Sequence, residues 1–185
     1  MKAFIIHRSY GNPEENWFPW LKNELEKQGN IVFVPEFPTP ENQSLENWMK
    51  VFDKYKENID TETIFVGHSL GPAFILSILE KLDKKVRACF FVSGFLSKLG
   101  DLNFDNINKT FVQREFNWKK IKENCDKFYV IHSDNDPYVP LKEAENLADK
   151  LGTKVIIIKG AGHFNETAGY KKFDFLLEMI GKEIK

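Results

Sequence analysis

The chain reads as a doubly wound α/β domain: a mostly parallel six-stranded sheet with helices on both faces. Two features carry this expectation. Short apolar runs recur along the whole chain without alternating polar residues, as in strands buried on both faces. Between them the apolar spacing switches to threes and fours, the period of an amphipathic helix packing one face on a sheet. Strictly alternating units of this kind build βαβ crossovers. Right-handed crossovers bring all the strand C-termini to one edge.

In chain order, the predicted strands are Ala3–Ile6, Ile31–Val34, Thr63–Val66, Val86–Val92, Phe128–Ile131 and Val155–Ile158. The first helical stripe is Trp17, Trp20, Leu21 and Leu25, and the second is Leu45, Trp48, Met49, Phe52 and Tyr55. A third runs through Phe74, Ile75, Ile78, Leu79 and Leu82. The fourth is Leu141, Ala144, Leu147, Ala148 and Leu151, and the last Phe173, Leu176, Leu177, Ile180 and Ile184. From Gly94 to about Trp118 no period is sustained, although Phe95, Phe104, Phe111, Phe116 and Trp118 recur there. That stretch reads either as a partial lid over the sheet edge or as an irregular connection with local aromatic packing. No repeat, linker or low-complexity tract interrupts the chain, so residues 1–185 are expected to form a single domain.

Composition narrows the function classes. The 185 residues carry 26 basic and 27 acidic side chains, a net charge of −1, and 42% are hydrophobic. A chain of this size buries roughly 70% of its unfolded surface, enough for a core without staples. The balanced charge lacks the basic footprint of a nucleic-acid binder and gives no pull toward an anionic membrane. No apolar run approaches the roughly 20 residues of a membrane span. The opening Met1-Lys2 followed by Ala3-Phe4-Ile5-Ile6 is too short an apolar segment for an export signal. Two cysteines, Cys89 and Cys125, imply no disulfide framework, so a reducing cytoplasm is the expected location.

The chemistry begins at Gly67-His68-Ser69-Leu70-Gly71, directly after the third strand and before the third helical stripe. A serine on so sharp a strand-to-helix turn is strained, with its hydroxyl raised above the sheet edge. Glycines two residues to either side let neighbouring chain pass closely. The following helix N-terminus favours negative charge, and Pro72 suits a first turn that has no partner for its missing N–H. A serine nucleophile needs a base, itself oriented by a third group. All four histidines, His7, His68, His132 and His163, sit at or just beyond strand ends, on the edge where open α/β sheets carry their sites. His163, in the glycine-flanked loop Gly160-Ala161-Gly162-His163-Phe164, is the best base. His68 must point away from Ser69 and is expected to support the turn from a second shell. His7 and His132 are either supporting groups or polar strand ends. For the acid, Ser133-Asp134-Asn135-Asp136-Pro137 follows the fifth strand; Asp136 is the choice and Asp134 the runner-up. One of the two would cap the helix that begins near Leu141 while the other orients His163. The order Ser69, Asp136, His163 is that of α/β-hydrolases.

No metal site is expected, because no H-x-x-x-H or C-x-x-C spacing occurs. No cofactor is expected either, since G-x-G-x-x-G and the P-loop motif are absent.

These stretches, with Asn16-Trp17-Phe18-Pro19-Trp20-Leu21 and Val92-Ser93-Gly94-Phe95, resemble the small α/β-hydrolases of the retinoblastoma-binding-protein-nine type and their bacterial serine-hydrolase relatives. The resemblance spans nearly the whole chain. It implies a compact hydrolase fold without a large cap, with Ser69 as nucleophile, Asp136 as acid and His163 as base. Where many relatives carry His-Gly after the first strand, this chain has His7-Arg8-Ser9-Tyr10-Gly11. One oxyanion donor is expected to be the Leu70 backbone N–H. The second falls to the loop after the first strand, with Ser9 preferred and Arg8 open. Arg8 is either a ligand for an anionic substrate group or an exposed surface charge. The function expected is hydrolysis of a small ester, thioester or amide through an acyl-enzyme. Its rival is a vestigial hydrolase fold that binds a protein partner.

Overall fold

A computed structural model describes residues 1–184. Six strands form one sheet: β1 (Lys2–Ile6), β2 (Ile31–Phe33), β3 (Ile64–His68), β4 (Val86–Val92), β5 (Cys125–Ser133) and β6 (Val155–Ile158). Their order is β2-β1-β3-β4-β5-β6 and every pairing is parallel. Among the described residues seven α-helices accompany them: α1 (Phe18–Lys27), α2 (Leu45–Phe52), α3 (Gly71–Leu79), α4 (Leu102–Val112), α5 (Trp118–Glu123), α6 (Leu141–Leu151) and α7 (Asp174–Gly181), with short 3-10 helices at Lys56–Asn58 and Glu166–Ala168.

The pleat sorts the strand residues between two cores. Phe4, Ile6, Phe65 and Phe91 face one side, against α2, α3, α4, α5 and α6. Ala3, Ile5, Val66 and Phe90 face the other, against α1 and α7. Burial on both faces explains why the strand runs do not alternate with polar residues. Strand order reverses direction between β1 and β3, so the loops leaving these two strands open a crevice at the switch point. The first of those loops holds Arg8 and Ser9, and the second holds Ser69.

Two segments depart from the sequence expectation. Within 94–118, helix α4 runs for 11 residues, its start capped by Asp101, whose carboxylate accepts the Phe104 N–H at 2.9 Å. Its buried residues are Asp105, Asn108, Phe111 and Val112, at helical spacing. Two of these four inward positions are polar, and that is why no apolar stripe appears in the sequence. The short helix α5 buries only Ile121, too little for any period to register. Strand β5 starts three residues before the apolar run, through exposed Asp126 and Lys127, because its ladder with β4 begins at Val86 opposite Cys125.

Candidate active site

Ser69 leaves β3 in the left-handed region, with φ +58°. Such a backbone stores about 1–3 kcal/mol in a non-glycine residue and persists only where its surroundings hold it. Here the Ser69 N–H donates to Val92 O at 2.9 Å, tying the turn to the adjacent strand. The flanking glycines answer close approaches. A Cβ at Gly67 would lie 2.7 Å from the Pro72 nitrogen, and one at Gly71 only 2.6 Å from the Ile6 carbonyl oxygen. No side chain but hydrogen fits between α3 and β1 at that point. Leu70 is the residue just before α3, and its N–H has no acceptor among the described residues.

Asp136 and His163 meet across their two loops, with His163 Nδ1 donating to Asp136 Oδ2 at 2.8 Å. Burial alone would raise the Asp136 pKa. The His163 hydrogen bond and charge, with the Val139 and Tyr138 N–H groups on Oδ1, outweigh it and hold the carboxyl below its usual range. The carboxylate therefore stays ionised to orient the imidazole. Ser69 and His163 line one cavity of about 550 Å³. Neither the Ser69 hydroxyl nor His163 Nε2 has a hydrogen-bond partner among the described residues, so this edge of the constellation stands open. Nucleophile–base hydrogen bonds commonly tighten only once substrate is bound.

The acid loop grips the histidine loop residue by residue. Asp134 Oδ1 accepts the Gly160 N–H at 2.8 Å, Ser133 Oγ the Ala161 N–H at 2.9 Å, and Asn135 Oδ1 the Gly162 N–H at 2.8 Å. Asp134 thus supports the loop and does not touch the His163 ring. Neither aspartate caps α6, whose N-cap is Pro140 with no side-chain bond; Asp136 Oδ1 takes the Tyr138 and Val139 N–H groups instead. From the opposite side, His68 Nε2 donates to the His163 carbonyl at 2.8 Å and Trp17 Nε1 to the Phe164 carbonyl at 2.9 Å. His68 therefore reaches beyond its own turn to the base loop. Burial, with His163 alongside, drives its pKa well below the ordinary value, so the ring is neutral. His132 donates from Nε2 to Val139 O at 3.0 Å, and burial lowers its pKa too.

On the β1 side, buried His7 donates from Nδ1 to the Arg8 carbonyl at 2.8 Å and accepts the Phe37 N–H on Nε2 at 3.0 Å. Burial lowers its pKa to about 4. Arg8 is half-buried and lines the same cavity. Its guanidinium pairs with Glu15, which the sequence reading did not anticipate, through an Nη2–Oε2 hydrogen bond of 3.1 Å. The Ser9 hydroxyl is turned to Asn108 at 2.6 Å, and its backbone N–H has no acceptor among the described residues. The cavity's other walls are Tyr10, Leu99, Phe104, Pro137, Tyr138 and Val139, together with the polar Arg8, Asp101, Asn165 and Thr167. Of these, Leu99, Asp101 and Phe104 come from the stretch whose helix went unseen in the sequence. Among the described residues no group of three or more His, Cys, Asp or Glu side chains is gathered to hold a metal ion. Nor is any helix there long and apolar enough to cross a membrane.

An ionised carboxylate on an imidazole, a strained serine at the same cavity and unpaired N–H groups nearby form the equipment of acyl transfer. Comparison with known proteins agrees in class. Residues 3–181 match the family described as "Serine hydrolase". The chain is 30% identical over 190 residues to YdeN of Bacillus subtilis (strain 168), covering all of this chain and 98% of that one. It is 31% identical over 182 residues to "Serine hydrolase RBBP9" of Rattus norvegicus, covering 97% and 95%. The solved structure of the ydeN gene product superposes with a TM-score of 0.91 at 28% identity, over 98% of this chain and 97% of that one. Est1E from Butyrivibrio proteoclasticus, at TM-score 0.69 and 17% identity over 97% and 88%, shares the fold. With the match running almost end to end, the chain belongs to the serine hydrolase family.

Proposed function

We propose that the protein is a carboxylesterase-like hydrolase of small, apolar or aryl acyl esters, with Ser69, His163 and Asp136 as its triad. His163 Nε2 takes the Ser69 hydroxyl proton as Oγ attacks the ester carbonyl, and the carbonyl π electrons move onto oxygen. The backbone N–H groups of Leu70 and Ser9 hold that oxyanion, each such donor being worth about 3–4 kcal/mol to the transition state. As the C–O bond breaks, His163 returns the proton to the departing alkoxide. Water then repeats the sequence on the acyl-enzyme, and Ser69 is freed. Asp136 stays ionised throughout and steadies the imidazolium.

The observation that carries this reading is the 2.8 Å bond between Asp136 and His163, beside a cavity that also bears Ser69. The preference for a small apolar or aryl acyl group is supported by part of the walls. Tyr10, Leu99, Phe104, Tyr138 and Val139 offer apolar and aromatic contact, beside the polar Asp101, Asn165 and Thr167, and Arg8 is already paired with Glu15. A small-molecule acyl substrate fits a space of this size. A cytoplasmic setting is supported by Cys89 and Cys125, which stand as free buried thiols. A panel of p-nitrophenyl esters and aminoacyl amides, run on wild type and Ser69→Ala, tests the proposal. Short-chain and aryl esters should turn over well above the amides, and Ser69→Ala should abolish all of it. Amide turnover exceeding ester turnover, or activity that survives Ser69→Ala, would overturn it.

A further inference from the structure

We infer that Asn108, on α4, is a positioning residue for the oxyanion-binding loop, so that the helix over the sheet edge serves as a strut for the reaction centre. This rests on the reading above, in which the Ser9 N–H is the second oxyanion donor.

Asn108 is fully buried on the inward face of α4. A helix needing only to cover a core would carry a leucine there, since burying an amide is unfavourable unless each polar atom finds a partner. Every one of them does. Nδ2 donates to the Phe104 carbonyl one turn back at 2.9 Å, and Oδ1 accepts from the Ser9 hydroxyl at 2.6 Å and from Gln43 Nε2 at 2.8 Å. Gln43 Nε2 also reaches the Ser9 hydroxyl at 3.1 Å, and Gln43 Oε1 accepts the Thr39 hydroxyl. Thr39 Oγ1 in turn accepts the Tyr10 N–H at 2.7 Å. One closed set of hydrogen bonds therefore holds Ser9 by its side chain and Tyr10 by its backbone. Tyr10 itself sits at φ +57°, a left-handed conformation that a tyrosine keeps only when it is held there.

Peptide geometry turns this anchoring into a direction. The Arg8–Ser9 peptide is planar, and in a trans peptide the carbonyl and the N–H point opposite ways. The Arg8 carbonyl accepts from His7 Nδ1 at 2.8 Å and from the Gly11 N–H at 3.2 Å. The Ser9 N–H is thereby turned away from those donors, at a residue that lines the cavity with Ser69. His7 fixes one end of the peptide plane and Asn108, through the Ser9 side chain, fixes the other. Networks of this kind hold a group in place because a half-satisfied arrangement inside a low-dielectric core is costly.

The test compares Asn108→Ala, Ser9→Ala and the double variant on p-nitrophenyl acetate. Each also meets a trifluoromethyl ketone, to which Ser69 Oγ adds while its proton passes to His163 and the carbonyl π pair becomes an oxyanion. Each single variant should lose about tenfold in kcat with KM within about twofold. Ketone affinity should fall by the same factor as kcat/KM, and the double variant should be no worse than the weaker single. Overturning results are wild-type kcat in a folded Asn108→Ala or Ser9→Ala, a loss confined to KM or to thermal stability, or single-variant losses that multiply in the double. If Asn108→Ala does not fold, Ser9→Ala decides alone, because it removes the same bond from the loop side. Failure of the underlying reading looks different: wild type unlabelled by a fluorophosphonate, or Ser69→Ala still turning over. That outcome would remove this inference along with it.

Discussion

In the proposed mechanism Ser69 carries two burdens, a chemical role and a strained backbone, and substitution separates them. Ser69→Gly should abolish turnover as completely as Ser69→Ala. Because glycine adopts φ near +58° without penalty, it should also unfold about 1 kcal/mol harder than the alanine variant in urea. Equal stability of the two would mean that the turn stores no strain. Asp136→Asn keeps the side-chain shape but removes the charge that stabilises the imidazolium. Its kcat should fall by about 10³–10⁴-fold, with folding retained. The placing of Ser69, Asp136 and His163 at one sheet edge was legible in the sequence because each follows its own strand within a few residues. Asn108 and Glu15 were not. Asn108 meets Ser9 across 99 residues of chain, and Glu15 reaches Arg8 only through the path of a loop. No local spacing records either contact.

The next scale up is the grip between loops and the packing of helices on strands. Between them, the side chains of Asp134, Ser133 and Asn135 take the N–H groups of Gly160, Ala161 and Gly162. Asn135→Ala would leave the Gly162 N–H to water in place of its acceptor, a loss of about 0.5–1.5 kcal/mol for an exposed bond of this kind. Hydrogen exchange at Gly162 should quicken, and kcat should drop with little change in KM; unchanged exchange would show the grip to be incidental. Gly71→Ala should be far more damaging, since its Cβ would meet the Ile6 backbone at 2.6 Å and push α3 away from β1. We expect a destabilisation of about 1–3 kcal/mol or more, read as a lower urea midpoint. The strands were legible as elements because both their faces are buried, leaving unbroken apolar runs. Helix α4 was hidden for the converse reason, its inward face carrying Asp105 and Asn108 among the apolar residues. The carboxylate of Asp105 accepts the Leu99 and Gly100 N–H groups at 2.8 and 3.0 Å, so the polar residue that masks the helix also ties down the loop before it.

Across the whole molecule, three histidines are buried and neutral. His7 titrates near 4, and burial lowers His68 and His132 as well. In the unfolded chain each binds a proton near pH 6.5. Below that pH the unfolded state takes up protons that the native state refuses, so stability falls with acidification. His7 alone contributes on the order of 3 kcal/mol of this loss by pH 4. The urea midpoint should therefore fall steadily from pH 6.5 to pH 4, and His7→Gln should flatten part of the slope. A midpoint constant over that window would contradict the buried, neutral state of these rings. The same sheet edge that holds the buried histidines also gathers Ser69, His163 and Asp136, the proposed nucleophile, base and acid, from three separate loops.

That convergence is tested most directly by rapid-quench mass spectrometry of wild type and Ser69→Ala during turnover of a p-nitrophenyl ester. The account predicts that the acyl group accumulates on the peptide containing Ser69 in wild type and nowhere in the variant. Turnover by wild type with that peptide unmodified, or acylation at another residue that persists in Ser69→Ala, would contradict it.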